Sequence, residues 1–189
     1  VARWEPGARE RLEQAALELF GEQGFAETTV PQITAKAGLT TRTFFRHFTD
    51  KREVLFAGED VVRQLVAGYL AQAPADETPM QLIARGLPEM ATAVFEGRRD
   101  ELRNRRAVVA RDEGLLERDL RKRAALSAQI RAGLLQRGAD ELTATLTAEL
   151  SVTVMHTSVA RWLARDDDRP VAAIVTETLA ALRALTAES

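Results

Sequence analysis

Cysteine is absent from this chain of 189 residues. That excludes a disulfide, a thiol nucleophile and a thiolate metal site. Histidine is nearly absent too: His47 and His156 stand far apart and offer no metal-ligand spacing. Long apolar runs are missing. Residues 171–175, VAAIV, form about the longest, far short of the roughly 20 residues that a membrane-spanning helix needs. The opening VARWEPGARERLEQ holds no apolar signal-peptide core. No phosphate-binding glycine loop and no nucleophile elbow occurs. From these absences we expect no catalytic residue, no metal, no cofactor, no membrane contact and a cytoplasmic location. Strong charge of one sign is lacking as well. A net charge of −2 excludes a grossly basic coat for nucleic acid, so any such binding must rest on a local patch. The apolar share of 46% and charged share of 29% suit an ordinary globular protein of one domain or two small ones.

The stretch 28–51, TTVPQITAKAGLTTRTFFRHFTDK, carries the strongest signal. It reads as a helix, a tight turn and a second short helix. Thr28 or Thr29 can cap the first helix, with Pro31 just inside it, where a missing N–H costs nothing. Gly38 ends that helix, because glycine takes a left-handed conformation without steric penalty. Thr40 caps the second, which runs through Thr41, Arg42, Thr43, Phe44 and Phe45 towards Phe48. Helix, glycine turn, helix is the geometry that sets a second helix into a DNA major groove. Thr41, Arg42 and Thr43 form its first turn. Arginine can donate two hydrogen bonds to guanine, and a threonine methyl can touch that of thymine. His47, Lys51 and the N–H groups at helix starts suit phosphates. Between Lys36 and Arg52 five basic residues face a single acid, Asp50. The expected DNA-contact set is therefore Thr29, Thr40, Thr41, Arg42, Thr43, Phe45, His47 and Lys51. Phe44 and Phe48, four apart, are read as core rather than as base-stacking groups.

These residues resemble the tetracycline-repressor (TetR) family. The pattern is A-x-x-L-F-x-x-x-G-F at 16–25, then T-T-V-x-x-I-T-x-x-A-G-L-T-x-x-T-F-F-R-H-F-x-D-K at 28–51. It covers about the first quarter of the chain. The resemblance implies an all-α homodimer: an N-terminal three-helix helix-turn-helix DNA-binding domain, then a C-terminal helical domain that dimerises and binds a small effector. We place the division at 1–53 and 54–189. One departure stands out. The family usually has tyrosine where this chain has Phe45, and that hydroxyl often touches a phosphate. The reading that follows is a ligand-responsive regulator, most simply a repressor of double-stranded operator DNA. Its effector would be small and largely apolar, or acyl-type. One alternative is a helical ligand-binding or interaction protein without operator binding, against which the Thr41–Arg42–Thr43 turn argues. The other is an enzyme, for which the chain offers no catalytic constellation.

Periodicity sets the remaining expectations. Residues 1–7 read as an arm, with Arg3 reaching a phosphate or the minor groove, or as a frayed end. Trp4 is expected to pack on the first helix. Ala8 to Gln23 is that helix, with Leu12, Ala15, Ala16, Leu19 and Phe20 on one face. Asp50 starts a fourth helix whose apolar stripe continues from Val54 and Leu55 to Leu70, joining the two domains. Residues 80–96 form a helix kinked or split at Pro88. The arginine-rich 98–106 is either a solvated face or an anion-binding rim. With the long charged helix after it, it resembles a TetR subgroup that responds to acyl-coenzyme A. Gly114 is expected to separate that helix, 115–136, from what precedes it.

Two final helices, 141–164 and 171–185, are apolar on two faces and so must be covered twice. One face of each would meet a partner subunit, through Leu146, Leu150, Val154, Val171, Val175, Leu179 and Leu182. The effector site is expected beside the fourth helix. Leu65 and Tyr69 would wall it on one side, Leu87 and Met90 on another, with Met155, His156 and Val159 closing it. His156 is equally readable as a histidine satisfied within the core.

Overall fold

Ten helices and no strand make up residues 7–187, the part of the chain that the computed structural model describes. Arg3 and Trp4, and the arm expected of them, lie outside the described residues. The helices are α1 (Ala8–Gln23), α2 (Val30–Ala37), α3 (Thr41–His47), α4 (Lys51–Leu55), α5 (Glu59–Gln72), α6 (Pro79–Phe95), α7 (Arg99–Val109), α8 (Glu113–Gln136), α9 (Glu141–Leu163) and α10 (Val171–Ala187). The all-α expectation holds, and α1 has the expected bounds. Two compact units form, one from residues up to 59 with 100–119, the other from 60–99 with 120–189.

The first unit is larger than the segment 1–53 expected from the sequence. Val54, Leu55 and Phe56 lie in its core beside Leu12, Phe20, Ile33, Phe44 and Phe48, and Val108, Val109 and Leu115 join them. Burial of this apolar surface stabilises the unit. Polar ties add direction. The Asn104 side chain of α7 donates to Leu17 O at 3.1 Å on α1. Arg118 of α8 pairs with Glu53 and lies over the Phe56 ring.

The expected long fourth helix is two helices. α4 ends at Leu55; Phe56 N–H and Ala57 N–H turn back to Glu53 O and Val54 O, and Gly58 takes φ +94°. A residue other than glycine is strained there. Phe56 is buried, so the stop in α4 is also a core anchor. α6 continues through Pro88, which excludes the split form of the two expected and leaves the continuous one. Gly114 does not separate α8 from α7 but sits in the first turn of α8, where the Asp112 carboxylate accepts from Leu115 N–H at 2.9 Å.

In the second unit α6, α9 and α10 pack on one another, and α5 and α8 close the core through Val66, Leu70, Ile130 and Leu134 against Ala144 and Ala148. The loop between α9 and α10 is held at several points. Arg99 donates to Asp167 O and Arg169 O and lies over the Trp162 ring. The Trp162 indole also donates to Arg169 O, at 3.0 Å, and Glu96 accepts from Val171 N–H at the start of α10. Among the described residues no helix is long and apolar enough to cross a membrane.

Candidate functional site

The turn between α2 and α3 is built as its residue types require. Thr29, not Thr28, caps α2, in a box where Gln32 N–H donates to the Thr29 hydroxyl and the Gln32 side chain accepts from Thr29 N–H. Thr28 is buried, and its hydroxyl donates to Gly24 O at 2.8 Å. Gly38 takes φ +64°, the left-handed region. Arg11 on α1 donates to Ala37 O at 2.6 Å, fastening the end of α2 just before that turn. Thr40 then caps α3, and Phe44 and Phe48 are buried against α1, as read from their spacing.

That anchoring decides which side of α3 faces outward. Thr41, Arg42, Phe45 and Arg46 are exposed, Phe45 at 59%. They fall at i, i+1, i+4 and i+5, which puts them on one side of the helix. Thr40 and Thr43 differ: their hydroxyls bond each other at 3.0 Å while Thr40 also accepts from Thr43 N–H. Their side chains serve the cap first.

Charge is distributed less evenly than the sequence count implies. Lys36 is tied to Glu22 at 3.0 Å and Glu18 at 3.1 Å on α1, and these hydrogen bonds, Glu22 first, raise its pKa above the ordinary lysine value. Lys51, expected at a phosphate, is turned inward. Its ammonium donates to Phe25 O (2.7 Å), Thr28 O (2.8 Å) and Ala26 O (3.1 Å), and lies 4.4 Å from the Phe25 ring centroid. Three carbonyls match three N–H donors, so Lys51 fastens the α1–α2 corner. Burial is the main cause that lowers its pKa. The His47 ring is half-buried, and its Nε2 is closed off without a partner among the described residues. Arg42, Arg46 and Arg52 remain exposed, with no side-chain hydrogen bond or ion pair among the described residues. Arg46 and Arg52 were not in the expected contact set. The four-residue step from Arg42 to Arg46 was the available sign.

The arginine run 98–106 does not form a rim. Arg98 donates to Val94 O, Arg99 holds the α9–α10 loop, Arg103 lies 3.8 Å from Asp100 and Arg105 sits over Phe56. An anion would find these four groups engaged, and Arg106 exposed with no side-chain partner among the described residues.

The second unit contains an apolar cavity of about 50 Å³. Tyr69, Leu87 and Met90 line it as expected, and Leu65 instead borders an open groove between α5 and α6. Met155, His156 and Val159 are absent from both walls. The closure from α9 comes one to two turns earlier, from Thr147 and Ser151, and α8 adds Ile130 and Leu134. Small polar residues on α9 gave no apolar period to find.

The expected partner face is divided in the same way. Val154, Val171, Val175 and Leu179 are buried within their own chain, so they cannot meet a second copy. Leu150 and Leu182 are half-buried. Leu146 is 54% exposed, and Leu142, outside the expected set, is 69% exposed.

Residues 13–57 match the family of bacterial regulatory proteins, tetR family. The HTH-type transcriptional regulator TcmR of Streptomyces glaucescens is 36% identical over 89 residues, 47% of this chain and 39% of that protein. The HTH-type transcriptional regulator SrpR of Pseudomonas putida is 47% identical over 49 residues, 26% of this chain and 23% of the relative. The matched stretch thus spans about two fifths or less of these relatives, and they are transcriptional regulators rather than enzymes. A TetR-like transcriptional regulator from Rhodococcus sp. RHA1 shares the fold at 18% identity and a TM-score of 0.56, over 98% of this chain and 100% of that one.

Proposed function

Because the chain belongs to the TetR family of bacterial regulatory proteins, we propose that it regulates transcription by holding operator DNA with the exposed side of α3. One observation carries this reading: Arg42 and Arg46 are exposed and unpaired among the described residues, on a helix that buried Phe44 and Phe48 hold in place. Arg42 in the first turn is placed to read a guanine edge. Phe45 offers an apolar ring to a thymine methyl, and Arg46 and Arg52 offer charge to phosphates.

The protein acts as a homodimer, because two half-sites of DNA must be spanned at about 34–36 Å or a multiple of it. Exposed Leu142 and Leu146 on α9 and Leu185 on α10 are the residues free to meet the second copy. A small apolar effector held in the second unit would release DNA by binding one arrangement of the protein better than another, which makes the protein a repressor. The dispersal of the arginine run favours an uncharged effector over a coenzyme A thioester.

Fluorescence anisotropy on a selected operator tests the DNA part. Arg42→Ala should lower affinity at the cognate site by about 1–3 kcal/mol. Arg46→Ala should weaken all sequences alike and reduce the salt slope by about one. Parent-like binding by both variants at matched salt overturns the placement of α3.

A further inference from the structure

Two spaces in the second unit share a wall. The inner cavity measures about 50 Å³. The outer space is an open groove of about 420 Å³ between α5 and α6, bordered by Val61, Leu65 and Gly68 and, at its polar edge, by Gln64, Gln72 and Glu89. Pockets that enclose a ligand measure roughly 300–1,000 Å³. The inner space is too small, and both are partly open. Tyr69 and Met90 line both.

Tyr69 is held in that wall by a specific arrangement. Its ring lies directly on the backbone of α6 at Gly86, where an added Cβ would come within 2.5 Å of the ring carbon that carries the hydroxyl. The hydroxyl donates to Leu82 O at 3.0 Å. The Arg85 guanidinium lies 4.8 Å from the ring centroid and is itself held by Glu77 at 2.7 and 2.9 Å. Swung outward, the hydroxyl meets water in the groove, so its hydrogen bond is exchanged rather than lost. Met90, unbranched and adaptable, can follow.

Two hydroxyl side chains of α9 line the inner cavity, and that of Ser151 already donates to Thr147 O. Thr147 is buried at 7% exposure and lines the cavity, and its hydroxyl has no partner among the described residues. Among the described residues no charged side chain lines the inner cavity. We propose that Tyr69 is a movable partition, and that once it leaves Gly86 the two spaces merge into one site. That site takes an uncharged, elongated apolar molecule whose single polar end meets Thr147. This rests on the effector-binding reading above and names the effector's chemistry and the residue that admits it.

The chain has a single tyrosine, so 3-fluorotyrosine gives one fluorine resonance that reports the partition. The full chain is titrated with N-phenyl-1-naphthylamine, an uncharged apolar fluorophore, while that resonance is followed. Saturable binding should shift the signal. Gly86→Ala, which pushes the ring off the helix, and Tyr69→Ala should each tighten binding about tenfold, and Tyr69→Phe about threefold. Circular dichroism melts establish that each variant is folded, and Tyr69→Ala serves should Gly86→Ala not fold. 1-Decanol should displace the probe more effectively than decanoate, and Thr147→Val should weaken 1-decanol several-fold. Probe binding with an unmoved resonance and parent-like affinity in the folded variants overturns the partition while leaving effector binding intact. Equal displacement by decanoate overturns the uncharged end group. Absence of probe binding in the parent and every folded variant overturns both the partition and the effector-binding reading.

Discussion

Each of the two units has a core built from a different kind of residue. The first is an aromatic core under strong local punctuation: Phe20, Phe44, Phe48 and Phe56 are buried, and Gly38, Thr29, Thr40 and Asp50 mark where helices stop and start. The second brings helices close through small residues. The buried side of α9 is made by Ala144, Thr147, Ala148, Ser151 and Ser158 as much as by Val154 and Trp162. Large side chains fix an angle by filling a space, whereas small ones let two backbones approach. A recognition surface needs the former, and a site that admits a ligand tolerates the latter.

Substitutions that treat the two units unequally test this contrast. The largest effect is expected from Phe44→Ala, about 3–5 kcal/mol of stability by denaturant unfolding, with operator binding lost alongside. In the second unit the damaging change runs the other way. Ala148→Leu should cost about 1–3 kcal/mol by overpacking, and free tolerance of leucine there would break the close-approach account of α9.

The basic residues sharpen the comparison within the first unit. Lys51→Ala should lower stability by about 1.5–3 kcal/mol, since its ammonium holds three carbonyls, and should leave the salt slope of DNA binding unchanged. Arg42→Ala should leave the unfolding midpoint unchanged while operator affinity falls. A Lys51 variant that is fully stable but has a shallower salt slope would return that residue to the DNA. The smallest effect on the protomer is expected from Leu146→Glu, within about 0.5 kcal/mol because the side chain is exposed. Light scattering should nonetheless show loss of the dimer. Val175→Glu, by contrast, places a charge in the protomer's own core and should unfold it.

The helix-turn-helix was legible because its instructions are local. A glycine that needs a left-handed backbone, a threonine three residues before the N–H it accepts from, and two phenylalanines one turn apart each act within a few residues. The same locality explains the failure at the fourth helix. The apolar stripe continues in register past Gly58, and only the burial of Phe56 against α1 and its neighbours shows why the chain stops and turns there.

By itself, then, the sequence determined an all-helical chain, the bounds of α1 and the cap of α3, while the choice of Thr29 over Thr28 at α2 and the outward place of Arg46 came from the structure. Which cations remain available was decided by tertiary structure. Lys36 is met by glutamates 14 and 18 positions away, and Lys51 by carbonyls 23 to 26 positions away. Tertiary structure likewise assigned Val171 and Val175 to the protomer's own core and left Leu142 outside. A helical repeat gives the faces of a helix but not the order in which its neighbours cover them, because that order depends on packing among elements distant in the chain.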